Sequence, residues 1–86
     1  MAIANTFSNY FAPNLSNNIN LESLIINNTQ IAEINLSNNI NLKNLQAINT
    51  KLVSLDLSNN TMLFFLQLED SNNLTTLNLS NIVDFS

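Results

Sequence analysis

The chain has 86 residues, enough for one domain, of which 45% are hydrophobic and 9% charged. A net charge of −4 with only two cations, Lys43 and Lys51, argues against nucleic acid as a partner, because phosphate binding needs clustered Lys and Arg. Without Cys there is no disulfide framework or thiolate metal site, and the longest apolar run, 62–66, is far shorter than the roughly 20 residues of a membrane-spanning helix.

Residues 1–9 fall outside the periodic pattern that follows and are expected to form an N-terminal cap or a frayed segment. The first twelve residues lack a basic start and a continuous apolar stretch, so no signal peptide is read there. Ile3 and Phe7, with Tyr10 and Phe11, are placed to cover the open end of a repeat array. The array itself is expected over 10–86. Its first half-unit carries Pro13 at an apolar position of the frame, and Pro is confined to sheet edges because it cannot donate to a ladder.

From Leu21 the frame is regular. The stretches I-A-E-I-N-L-S-N-N (31–39) and L-V-S-L-D-L-S-N-N (52–60) repeat one pattern 21 residues apart, and L-S-N-N at 15–18 ends a third copy. Between the copies, Leu21, Leu24, Ile26 and Thr29 keep the same frame. So do Leu42, Leu45, Ala47 and Thr50, and then Leu63, Leu66, Leu68 and Ser71. Each unit is therefore two halves of about ten or eleven residues, and a fixed period of this kind signals stacked repeats. Within each half, apolar and polar residues alternate with period 2, which predicts half-buried strands near 23–27, 33–37, 44–48, 54–58, 65–69 and 76–80. Stacking sets equivalent strands side by side in parallel, about 4.8 Å apart.

Asn18, Asn39 and Asn60 follow a strand, where the chain turns. An inward amide there offers donors and an acceptor to backbone groups that have lost their strand partners, and neighbouring units can share it as a ladder. Thr29, Thr50 and Ser71 form a second series with only a hydroxyl. Gly is zero, so Asn must fill the turn positions that tolerate positive φ. In the last unit Ile82 stands where Asn is expected, with Asn81 one place early. Either Ile82, Val83 and Phe85 fold over the end, or the array of about three and a half units is truncated, the reading favoured here.

The repeated L-x-x-L-x-L-x-x-N resembles the leucine-rich repeat family over about residues 10–82, and is similar to the bacterial type in which both halves carry the frame. The resemblance implies a leucine-rich-repeat solenoid: mainly β, a right-handed coil with short parallel strands on two walls and little or no helix. It also implies a non-catalytic module that recognises a protein, or a glycan, within a larger bacterial surface or secreted protein. The alternative is a structural solenoid that self-associates end to end through open strand edges, which Asn ladders favour.

Catalysis is poorly served. Without His no Ser–His or Cys–His nucleophile system can be built, and without Gly no phosphate-cradling loop of known type. The carboxylates are Glu22, Glu33, Asp56, Glu69, Asp70 and Asp84; Glu69 and Asp70 are adjacent and should diverge. Asp56, flanked across strands by Asn35 and Asn78, is read as solvated polar surface ahead of a weak cation site. No catalytic, cofactor or metal residues are assigned. The candidate binding face is the outward row Glu33, Asn35, Ser37, then Ser54, Asp56, Ser58, then Thr76, Asn78, Ser80. Glu33 and Asp56 interrupt the hydroxyl rows that an ice-binding surface would need. The other sheet presents Ile25, Ile48 and Phe65, with Phe64 close by, and is more apolar. The N-x-S/T triplets at Asn14, Asn27, Asn35, Asn59, Asn73 and Asn78 are expected from the abundance of Asn and are given no weight as glycosylation sites.

Overall fold

Three described residues hold positive φ: Asn28 at 58°, Asn49 at 58° and Asp70 at 59°. They occupy one position of successive 21-residue units, just past a strand, where the chain must turn without glycine. Asn and Asp tolerate this region because a short polar side chain can bond locally. The turn role expected of Asn is thus shared with one Asp. A computed structural model of the chain describes residues 2–3 and 14–82. The expectations placed on Phe7, Tyr10, Phe11, Pro13, Val83 and Phe85 fall outside those residues.

The fold is mainly β, with short parallel strands in two sheets and no helix among the described residues. The strands are β1 (Ala2–Ile3), β2 (Ser23–Ile25), β3 (Asn44–Gln46), β4 (Ser54–Asp56), β5 (Phe65–Gln67) and β6 (Thr76–Asn78). One sheet has the order β1-β2-β3-β5 and the other pairs β4 with β6. In the first, Leu24 lies opposite Leu45 and Leu45 opposite Leu66; in the second, Leu55 lies opposite Leu77. The periodic pairing already begins at Ala2, opposite Ser23, inside the segment 1–9. Two residues are too few for an alternating pattern to be visible in sequence.

The strands are shorter than the alternation predicts, and one is missing. Segment 33–37 is not a strand and runs into a turn at 37–38. Its side chains still alternate, with Leu36 buried and Glu33, Asn35 and Ser37 exposed. Just before it, Lys51 N–H donates to Ile31 O at 3.2 Å and Val53 N–H to Ala32 O at 3.1 Å. The first bond spans 20 residues and the second 21, so the register shifts by one there. Between described residues, the backbone of 33–35 makes no ladder bond to β4. Alternation reports which side chains face inward; a strand also needs its neighbour in register.

The inward residues of both sheets meet in one cluster. Leu24 and Leu45 from the first sheet pack with Leu55 from the second, joined by Ile26, Ile31, Leu36, Leu52 and Leu57, all buried. Each such side chain contributes about 1.5–3 kcal/mol when fully buried. Burial weakens toward the last strand of each sheet: Leu55 is 2% exposed, whereas its partner Leu77 is 40% exposed, and Leu66 is half-buried. β5 and β6 each stand last in their sheet; β4 too has a single strand neighbour, but the chain just ahead of it is bonded to 31–32 on the opposite side from β6.

Candidate binding face

Eight of the nine residues of the expected face are exposed, and Ser58 is half-buried. The β4–β6 register sets Ser54 opposite Thr76 and Asp56 opposite Asn78. Along the face one local device recurs. Asn35 Oδ1 accepts from Ser37 N–H at 2.9 Å and from the Ser37 hydroxyl at 2.7 Å. Asn14 does the same for Ser16, at 3.0 and 2.7 Å. Asp56 Oδ1 accepts from Ser58 N–H at 2.9 Å, and Asn78 Oδ1 from Ser80 N–H at 3.0 Å. The motif is [N/D]-L-S: an Asx side chain closes the turn two residues on, while the Leu between them points inward. Three of the N-x-S triplets are therefore turn chemistry, a regularity that sequence reasoning had set down to abundance.

Segment 34–37 and β4 border a groove of about 320 Å³, lined by Ile34, Asn35, Leu36, Ser37, Asp56, Ser58 and Asn59. Four residues of the expected face meet there: Asn35, Ser37, Asp56 and Ser58. Glu33, Ser54, Thr76, Asn78 and Ser80 do not line it. Asn59 does, and it was not among the expected residues. Its Nδ2 donates to Ser37 O at 3.3 Å, one of a row in which Asn38 donates to Ser16 O at 3.3 Å and Asn81 to Ser58 O at 2.9 Å. Asn81 is thus the counterpart of Asn59. The signal available in sequence was the doubled Asn at 17–18, 38–39 and 59–60; at 38–39 and 59–60 the two members do different work.

In the pairs 38–39 and 59–60 the second member turns inward. Asn39 Nδ2 donates to Leu15 O and Asn18 O, both at 3.0 Å. Asn60 Nδ2 donates to Leu36 O at 3.0 Å and Asn39 O at 2.8 Å. Asn39 and Asn60 are fully buried, and the Oδ1 of each has no partner among the described residues. At the other turns the Thr29 hydroxyl donates to Ile26 O at 2.9 Å, the Ser71 hydroxyl donates to Ala47 O at 2.8 Å, and the Thr50 and Ser71 hydroxyls lie 3.2 Å apart. These side chains are committed to backbone and to one another.

Electrostatics on the face centre on Asp56. The Ser58 hydroxyl, and then the Ser58 backbone N–H, hold its carboxyl below the usual carboxylate range against a small opposing effect of desolvation. On the other sheet Lys43 pairs with Glu22 at 3.4 Å, an exposed pair of little energetic weight. Phe64 is 50% and Phe65 37% exposed beside it. Among the described residues no three His, Cys, Asp or Glu side chains gather in a way that would hold a metal ion. No helix among them is long and apolar enough to cross a membrane. No protein family, curated protein or solved structure matches this chain.

Proposed function

We propose that the chain is a non-catalytic leucine-rich-repeat module, solenoidal in form, that recognises a protein through the face built by segment 33–37, β4 and β6. The observation that carries this reading is the groove beside Asp56, where polar side chains that the core does not need converge on one opening. The 21-residue register of the larger sheet and the inward Asn bonds support the repeat assignment. Such a module would sit within a surface or secreted protein, as the sequence resemblance implies. The test is capture by the immobilised chain, compared with a variant carrying Asn35→Lys and Asp56→Lys. Loss of the captured protein with retained circular dichroism supports the reading. Equal capture by both would move the binding surface elsewhere.

A second reading has its own observation. Leu77 is 40% exposed at the centre of β6, and β5 and β6 each present an unpaired edge within the described sheets. Unpaired edges template further strands, so the chain would stack on a copy of itself as a structural solenoid. Sedimentation across a concentration series separates the two readings, since only the second requires mass to grow with concentration.

A further inference from the structure

The groove beside Asp56 is lined by polar groups, and the serine donors next to its carboxylate are already spent. The Ser37 hydroxyl and N–H both donate to Asn35 Oδ1. The Ser58 hydroxyl and N–H both donate to Asp56. Asn59 Nδ2 donates to Ser37 O. A hydroxyl that has donated keeps its lone pairs, and an ionised carboxylate only accepts. Around Asp56 the groove therefore offers a visitor acceptors, namely the second oxygen of Asp56 and the Oγ lone pairs of Ser37 and Ser58, while its donors are the Asn35 amide and the second N–H of Asn59. It carries one full negative charge, and no Lys or Arg lines it.

We propose that this groove takes an arginine side chain of a protein partner. Resting on the recognition reading above, the inference narrows its ligand to a donor-rich cation. A guanidinium presents five N–H donors and no acceptor, the complement of a carboxylate flanked by serine oxygens whose own protons are engaged. It can fork onto a carboxylate, and charge-assisted bonds of this kind are the strong ones. Half-buried Ile34 in the lining gives the methylene stem an apolar wall. Anions are repelled by Asp56. The whole chain has two cations against six acids, and Lys43 is engaged with Glu22 on the other sheet, so the groove has little competition from within.

The test is a titration of the ¹⁵N-labelled chain 1–86 with acetyl-Ser-Arg-Ser-amide and with its twin carrying citrulline, which keeps the shape of arginine without the charge. The expected result is a set of amide shifts centred on Asn35, Ser37, Asp56, Ser58 and Asn59, with the citrulline peptide bound about tenfold more weakly. Asp56→Asn should weaken the arginine peptide by a similar factor. This variant is expected to fold, because Asn35 and Asn78 perform the same turn closure at the equivalent positions. Equal binding of the two peptides, or shifts centred elsewhere, would overturn the inference. Free arginine binding as tightly as the peptide would overturn the commitment to a protein partner. Failure here is separable from failure of the recognition reading. Protein capture that is lost with the paired Lys variant but is indifferent to Asp56→Asn and to competing arginine peptide sinks the arginine site alone. An arginine peptide seated in the groove, with capture indifferent to the Lys variant, sinks the recognition reading alone.

Discussion

Asn60 donates through Nδ2 to the backbone oxygen of Asn39 at 2.8 Å, joining two residues 21 positions apart at the same point of successive units. The same nitrogen reaches Leu36 O at 3.0 Å. Both carbonyls also accept a turn bond from their own unit, from Leu42 N–H and Asn39 N–H respectively. The side chain therefore ties one unit's turn to the next in a fully buried place. Replacing it with Ala removes two buried bonds, and Asn60→Ala is expected to cost about 1–3 kcal/mol in urea unfolding. Asn59→Ala, one residue away on the exposed row, is expected to stay within about 0.5 kcal/mol of the parent. Similar losses at both positions would refute the division of labour within the Asn pair.

The positive-φ positions give a second prediction. Asn49 holds φ of 58°, and its Nδ2 donates to Asn28 Oδ1 at 3.0 Å on the surface. Asn49→Gly keeps the conformation accessible. Asn49→Val does not, and is expected to be less stable than the Gly variant by about 1–2 kcal/mol. Thermal unfolding of the two proteins side by side checks the difference.

Much of this fold was legible in the sequence because its main determinant is periodic. The spacing of Leu24, Leu45 and Leu66 dictates which residues meet across the first sheet, and the structure pairs them accordingly. The doubled Asn residues also marked the turns at 37–38 and 58–59, whereas the positive-φ positions Asn28, Asn49 and Asp70 were not singled out. Register was harder to see. Ile31 and Ala32 each receive a bond from the following unit at different offsets, and that one-residue shift leaves 33–37 outside the sheet although its alternation is intact. The groove beside Asp56 borders the segment left unpaired, so it was no more visible than the shift. The face could be read from alternation; which of its residues converge could not.

Position within the sheet should decide what an inward leucine is worth. Leu55 and Leu77 lie opposite one another in the β4–β6 pair, yet Leu55 is 2% exposed and Leu77 40% exposed. Leu55→Ala is expected to cost about 2–5 kcal/mol, the usual range for a core leucine. Leu77→Ala removes a side chain that has left much less water behind, and should cost under about 1.5 kcal/mol. Equal costs would mean that β6 is covered in solution, and a concentration-dependent cost at Leu77 would identify a second copy as the cover.

The last prediction concerns pH. Asp56 is held ionised by the Ser58 hydroxyl and N–H, so its carboxyl titrates lower in the folded chain than in the unfolded one. A group depressed in this way stabilises the fold fully above its unfolded value, and the contribution disappears as pH falls through the folded value, once both states are protonated. Asn at position 56 keeps the acceptor for Ser58 N–H but has no proton to gain. The stability difference between the parent and Asp56→Asn should therefore be constant near neutrality and shift in favour of Asn between about pH 5 and pH 2. Melting temperatures of the two proteins across that interval provide the measurement. A difference that stays constant throughout would mean that the Ser58 bonds do not distinguish the ionised carboxylate from the neutral acid, and the charge assigned to the groove would then owe nothing to its serine.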